Sequence, residues 1–99
     1  MDSNFEKYNE IADMLKILAH PVRLCIVKGL LDHGECNVSY MQSCLDAPQS
    51  TVSQHLQRLR SAGIIEGRRN GLEIFYRVKN ERIAHLISAL ISEENDGNL

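Results

Sequence analysis

Residues 49–62 place the tightest constraint on what this chain can become. Their only large apolar side chains are Val52, Leu56 and Leu59. At 100° per residue these fall within about 40° of one another on a helical wheel. The stripe predicts a helix from Gln49 to about Ala62 that rests one narrow edge on a core and stops at Gly63, a residue type favoured just past a helix end. The opposite side holds Ser50, Gln54, Gln57 and Ser61, flanked by Thr51 and Arg58, with Ser53 at one edge. A helix that needs only solubility uses Glu and Lys, which are better helix formers. No acid occurs between residues 49 and 65. Short uncharged donors and acceptors can approach base edges in a major groove without repelling phosphate. The bland alternative is a solvated face of chance composition.

The flanking sequence supplies the setting. Phe5, Tyr8, Ala12 and Leu15, with Ile11 and Leu18 beside them, predict an amphipathic helix over residues 5–18. His20-Pro21 opens a second helix, since proline fits a first turn, and Asp32-His33-Gly34 closes it. A short helix, Val38 to Leu45, runs into a tight Asp46-Ala47-Pro48 turn. Downstream, Asn70-Gly71 predicts a two-residue hairpin turn with positive φ at both residues. The strand after it is expected to place Leu72, Ile74, Tyr76 and Val78 on one face and Glu73, Phe75 and Arg77 on the other. A last helix, about Glu81 to Ser92, carries Ile83, Leu86, Ile87, Leu90 and Ile91, and residues 93–99 read as a flexible tail. Short helix, tight turn and second helix form a helix-turn-helix over 38–62, and the hairpin over 64–78 is its wing. The expected fold is one mainly α domain spanning 1–99, with five helices and a β-hairpin wing, a dimeric winged helix-turn-helix.

With 99 residues the chain suits one modest core. Its net charge of −2 looks wrong for a nucleic-acid binder, but the charge is segregated. Residues 1–48 carry four Lys/Arg and seven Asp/Glu, residues 49–82 carry seven and three, and residues 83–99 carry no base and three acids. Local positive potential, not the total, attracts phosphate. No run of 18 apolar residues suggests a membrane span, and no apolar stretch follows the acidic first ten residues as a signal peptide would. The expected location is cytoplasmic. Three cysteines, Cys25, Cys36 and Cys44, are too few and odd in number for a secreted disulfide framework.

Three motifs resemble the ArsR/SmtB repressors. Leu45-Asp-Ala-Pro-Gln-Ser-Thr-Val-Ser-Gln-His-Leu56 with Leu59-Arg-Ser-Ala-Gly-Ile-Ile65 is similar to that family's recognition helix. Leu18-Ala-His-Pro-Val-Arg-Leu24 resembles its second-helix opening, and Arg69-Asn-Gly-Leu-Glu-Ile-Phe-Tyr76 its wing. The match covers residues 8–92, with wording closest to the metal-independent, PagR-like branch. The resemblance implies a homodimer paired through its first and last helices that represses transcription at an operator, often its own. In one family metal site, a Cys-x-Cys pair falls on Asn37 and Ser39. In another, an Asp-x-His pair and a later His and acid fall on Asn80, Arg82, Glu93 and Asp96. Thiolate and imidazole are missing, so no metal and no cofactor is expected.

The residues assigned to double-stranded DNA are Gln49, Ser50, Thr51, Ser53, Gln54, His55, Gln57 and Arg58 on the helix, with Arg68, Arg69 and Asn70 on the wing. His55 is equally suited to packing. Those assigned to the dimer are Tyr8, Ile11, Leu15, Ile83, Ile87 and Leu90. No phosphate loop, carboxylate pair or nucleophile motif suggests an enzyme. Two alternatives stay open: a thiol-responsive repressor and a winged helix that binds only protein. For the first, Cys36 and Cys44, eight residues apart, would stand about 12 Å apart on a helix, too far for a disulfide. A pair with Cys25 is open, and Cys25 and Cys44 read more simply as small buried side chains.

Overall fold

The computed structural model describes residues 5–91. Ser92, Glu93, Asp96 and the 93–99 tail lie outside them. Five helices and three strands follow in the order α1 (Phe5–Leu18), α2 (Pro21–His33), β1 (Cys36–Asn37), α3 (Val38–Leu45), α4 (Gln49–Ser61), β2 (Ile65–Asn70), β3 (Glu73–Val78) and α5 (Glu81–Leu90).

Local chemistry sets each boundary. Pro21 occupies the first turn of α2, and His20 caps it by accepting the Val22 N–H on Nδ1 at 3.1 Å. Gly34, at φ +88°, ends α2 and donates its N–H to the Leu30 carbonyl at 2.8 Å. Asn37 caps α3 through the Tyr40 N–H, and Asn80 caps α5 through the Ile83 N–H. Between α3 and α4 the chain reverses through Asp46, which adopts φ 54° and ψ 48° and donates its N–H to Gln42. That left-handed conformation is tolerated by Asp far better than by a β-branched residue.

The core lies where α2, α4 and α5 meet the sheet. Val27, Leu30, Val52, Leu56, Leu59, Ile64, Ile65 and Ile87 are completely buried. The sheet order is β1-β3-β2, all antiparallel. β1 was not visible in the sequence, because two residues show no alternation and become a strand only by pairing Cys36 with Tyr76 and Asn37 with Phe75.

The wing turn differs from the sequence expectation. Asn70 pairs with Glu73, so the two loop residues are Gly71 and Leu72, not Asn70 and Gly71. Only Gly71 has positive φ, at 69°, the pattern of a hairpin turn that needs glycine at its first central position. Leu72 therefore leaves the strand and is 100% exposed rather than on the inner face with Ile74, Tyr76 and Val78.

Two assignments to the dimer are also corrected. Ile83 and Ile87 are buried inside their own subunit, Ile87 at 0% exposure, and have no surface left for a partner. They belong to the α5 face that packs on α2. The cysteine expectation is reversed as well: Cys36 is buried, whereas Cys25 and Cys44 are exposed.

Candidate nucleic-acid interface

α4 rests on the body through Val52, Leu56 and Leu59, all buried, and turns Gln49, Ser50, Ser53, Gln54, Gln57 and Arg58 to solvent. Thr51 is half-buried at the margin. The row of small polar side chains is therefore on the surface, where the helical wheel put it. Arg60 and Ser61 continue it. With Ser53, Gln57 and Tyr76 they line an open polar cleft of about 450 Å3 between α4 and the base of the wing. Arg60 was missed in the sequence reading although it stands one turn beyond Gln57, the spacing of residues that share a helix face. Arg58 faces the other way, bordering a hollow shared with Glu10, Asp13 and Lys16 of α1.

His55 is not part of that face. Its Nδ1 accepts the Arg23 Nε–H at 3.1 Å, and its ring lies 4.6 Å from that of His20. Burial, then the neighbouring His20, then the Arg23 guanidinium hold its pKa below the usual value. Arg23 is itself fixed by donating to the Ile17 carbonyl at 3.0 Å. His55 thus anchors the inner edge of α4 to α2, and its assignment to DNA is withdrawn.

The wing arginines also separate. Arg68 donates through Nε and Nη2 to both Glu35 carboxylate oxygens, the shorter bond 2.7 Å, and lies over the Phe75 ring. The guanidinium holds the Glu35 carboxyl below the usual range, mainly through that hydrogen bond. Its charge is answered by Glu35 within the subunit, through a solvent-accessible pair. Arg69, on the opposite side of the strand, has no carboxylate paired with it among the described residues. It stands beside Asn70 and the exposed Leu72 at the wing tip.

Two of the positions that the family resemblance aligns with metal ligands have structural roles. Asn37 and Asn80 are helix caps, and Asn80 also donates to Met14 Sδ. Among the described residues no three His, Cys, Asp or Glu side chains converge as a cation site, and no helix is long and apolar enough to cross a membrane.

A buried-stripe helix with a polar outer face, held after a tight turn and followed by a hairpin that exposes Arg69 near its tip, defines a winged helix-turn-helix domain. The comparisons with known proteins agree. A helix-turn-helix domain family matches residues 18–68. The chain is 44% identical over 85 residues to the biofilm growth-associated repressor of Xylella fastidiosa, covering 86% of this chain and 74% of that protein. It is 43% identical over 79 residues to the transcriptional repressor PagR of Bacillus anthracis, covering 80% and 79%. The crystal structure of PagR superimposes with a TM-score of 0.81, covering 89% of this chain and all of that one. The homodimeric winged helix-turn-helix DNA-binding domain of a possible ArsR-family regulator from Mycobacterium bovis is 31% identical, with a TM-score of 0.79 over 90% of this chain and 83% of that one. The chain belongs to the ArsR/SmtB family of winged helix-turn-helix transcriptional repressors.

Proposed function

We propose that two copies of this chain bind an inverted repeat in cytoplasmic double-stranded DNA and repress transcription from it, with the protein's own promoter as one target. The observation that carries this reading is the uncharged polar row Gln49, Ser50, Ser53, Gln54 and Gln57, exposed on a helix whose Val52, Leu56 and Leu59 stripe is buried. On a two-fold dimer the two α4 helices would enter successive major grooves about 34 Å apart. Arg69 and Asn70 would meet the adjoining backbone, and Arg60 would add a phosphate contact from the cleft below.

The dimer is supported by exposed apolar side chains on the first and last helices. Among the described residues Phe5, Tyr8, Ile11, Leu15, Leu90 and Ile91 are all exposed, and a second copy would cover such apolar surface. Of the original set, Tyr8, Ile11, Leu15 and Leu90 keep the role, and Phe5 and Ile91 join them. The protein acts as a DNA-binding regulator rather than a catalyst. Its control does not run through a resident metal, because Asn37 and Asn80 are occupied as caps and Arg82 repels cations. A gel shift of the intact protein against the DNA upstream of its own coding sequence tests the proposal. A retarded band that survives excess random DNA is expected, and binding that random DNA competes away equally would overturn it.

A further inference from the structure

Arg23 joins three helices. From the first turn of α2 its Nη1 donates to the Ile17 carbonyl at the end of α1, at 3.0 Å. Its Nε donates to His55 Nδ1 on α4, at 3.1 Å. The planar guanidinium holds these two donors in a fixed relative direction, which a lysine ammonium cannot do. His20, whose Nδ1 caps α2 through the Val22 N–H, steadies the turn from which Arg23 projects.

α4 has little else of a directional kind to hold it. Burial of Val52, Leu56 and Leu59 keeps it on the core, but apolar attraction is non-directional, whereas a hydrogen bond depends on angle. Its N-terminus has no side-chain cap. Among the described residues the Arg23 bond is the one side-chain hydrogen bond that reaches α4 from another element. Beside Ile17 an open hollow of about 670 Å3 lies between α1 and α4, so close packing does not lock the two helices there.

We propose that Arg23 is a positioning residue for operator recognition: it ties α4, through His55, to the end of α1 and so sets the spacing at which the two α4 helices of a dimer read DNA. This role rests on the dimeric DNA-binding reading and names the residue that fixes its geometry. α1 offers Tyr8, Ile11 and Leu15 to a second copy, and a two-fold axis repeats any change in the angle between α1 and α4. The clamp also has a pH limit, because a proton on His55 Nδ1 removes the acceptor. Facing His55 are Arg23 from α2 and His20 from the link between α1 and α2. Arg58 follows it on α4, and Glu10, Asp13 and Lys16 of α1 border the hollow on the Arg58 side. No carboxylate pairs with His55 among the described residues. Burial, His20 and Arg23 all favour the neutral ring. Operator preference is therefore constant above about pH 6.5 and falls below it, while affinity for random DNA, which gains from the added charge, does not fall.

The intact protein and its variants each select from a pool of random duplex DNA, and the retained half-sites are scored by sequence and spacing. The wild type should retain two half-sites at one spacing. Inserting one base pair, which turns them by about 35°, should cut its affinity about tenfold. Arg23→Lys keeps the charge and loses the fork. It should dimerise, bind random DNA with the wild-type salt slope, lose about tenfold in operator preference and tolerate the insertion. His55→Leu removes the acceptor and should give the same result, which serves should the lysine disturb folding. His55→Gln, whose amide oxygen can accept from Arg23, should match the wild type at about pH 7.5 and keep its preference at about pH 5.5, where the wild type loses it. Wild-type spacing in both Arg23→Lys and His55→Leu, or an equal loss against operator and random DNA, would overturn the proposal. So would a proton on His55 Nδ1 at about pH 7.5, read by nitrogen NMR without DNA. If the intact protein selects no motif, the DNA-binding reading fails, and amide exchange decides the clamp. Faster exchange in α4 of Arg23→Lys with α5 unchanged supports it, and unchanged rates refute it.

Discussion

Arg23 Nε donates to His55 Nδ1 at 3.1 Å, a bond that ties the first turn of α2 to the inner edge of α4. The accepting nitrogen must carry no proton, and burial, His20 and Arg23 all favour the neutral ring, so its pKa lies below the usual 6.5. The unfolded chain therefore takes up this proton at higher pH than the folded one. Stability from this site is complete above about pH 6.5 and is lost as pH falls through and below it. An NMR titration should place His55 below 6.5. His55→Gln, whose amide oxygen can still accept from Arg23, should remove the site's share of the acid slope. A His55 pKa at or above 6.5 would contradict the geometry.

The exposed face of α4 gives a prediction about specificity. Gln54→Ala should cost about 1–3 kcal/mol against the operator and little against random DNA, since it removes a base contact. Arg69→Ala should weaken both alike and lower the salt slope by about 1. Parallel titrations at several salt concentrations separate the two. If Gln54→Ala keeps the full preference for operator, that side chain does not read bases.

α5 carries neighbouring residues with opposite fates. Leu90 is 68% exposed and Ile87 is 0% exposed. Leu90→Asp should leave a folded subunit that sediments as a monomer, because an aspartate cannot be desolvated cheaply in an apolar interface. Ile87→Ala should instead cost about 2–5 kcal/mol of folding stability by opening a cavity in the core. Circular dichroism with sedimentation distinguishes them. Unfolding of Leu90→Asp would move that residue into the core.

These contrasts show what the sequence could express. The Val52, Leu56 and Leu59 stripe was legible because one helix face meets one core, and periodicity records that directly. α5 was not, because its apolar residues serve two surfaces and periodicity cannot divide Ile83 and Ile87 from Leu90. The wing turn was misplaced by one residue: Asn-Gly is the stronger local signal, yet pairing of Asn70 with Glu73 fixed the register and left Gly71-Leu72 to turn. Arg68 and His55 carried the right chemistry for DNA, but their partners Glu35 and Arg23 lie 33 and 32 residues away. Such pairings exist only once the chain has folded.

Asp46 offers a test of backbone strain in the helix-turn-helix. It holds φ 54° between α3 and α4. Asp46→Val should cost about 1–2 kcal/mol, since a β-branched side chain crowds the following carbonyl in that conformation. Asp46→Gly should be neutral or stabilising. Denaturant titration of the two variants gives the comparison, and a Val variant as stable as the Gly one would mean that the turn relaxes.

The Glu35–Arg68 pair should set the strength of non-specific binding. Both side chains are solvent-accessible, so the pair itself adds little to folding. Its larger effect is on charge near the wing, where the carboxylate occupies a guanidinium two residues before Asn70 and offsets it. Glu35→Gln removes one negative charge and leaves Arg68 without its ionic partner. Affinity for random DNA should rise, and the salt slope should steepen by about 1 if Arg68 then reaches a phosphate. Arg68→Ala alone should change DNA binding little, because the wild-type side chain is already engaged. In the double variant the gain from Glu35→Gln should largely disappear, which separates capture of Arg68 from a general field effect. A loss of affinity in Arg68→Ala as large as in Arg69→Ala would show that the ion pair opens on DNA and would return Arg68 to the interface.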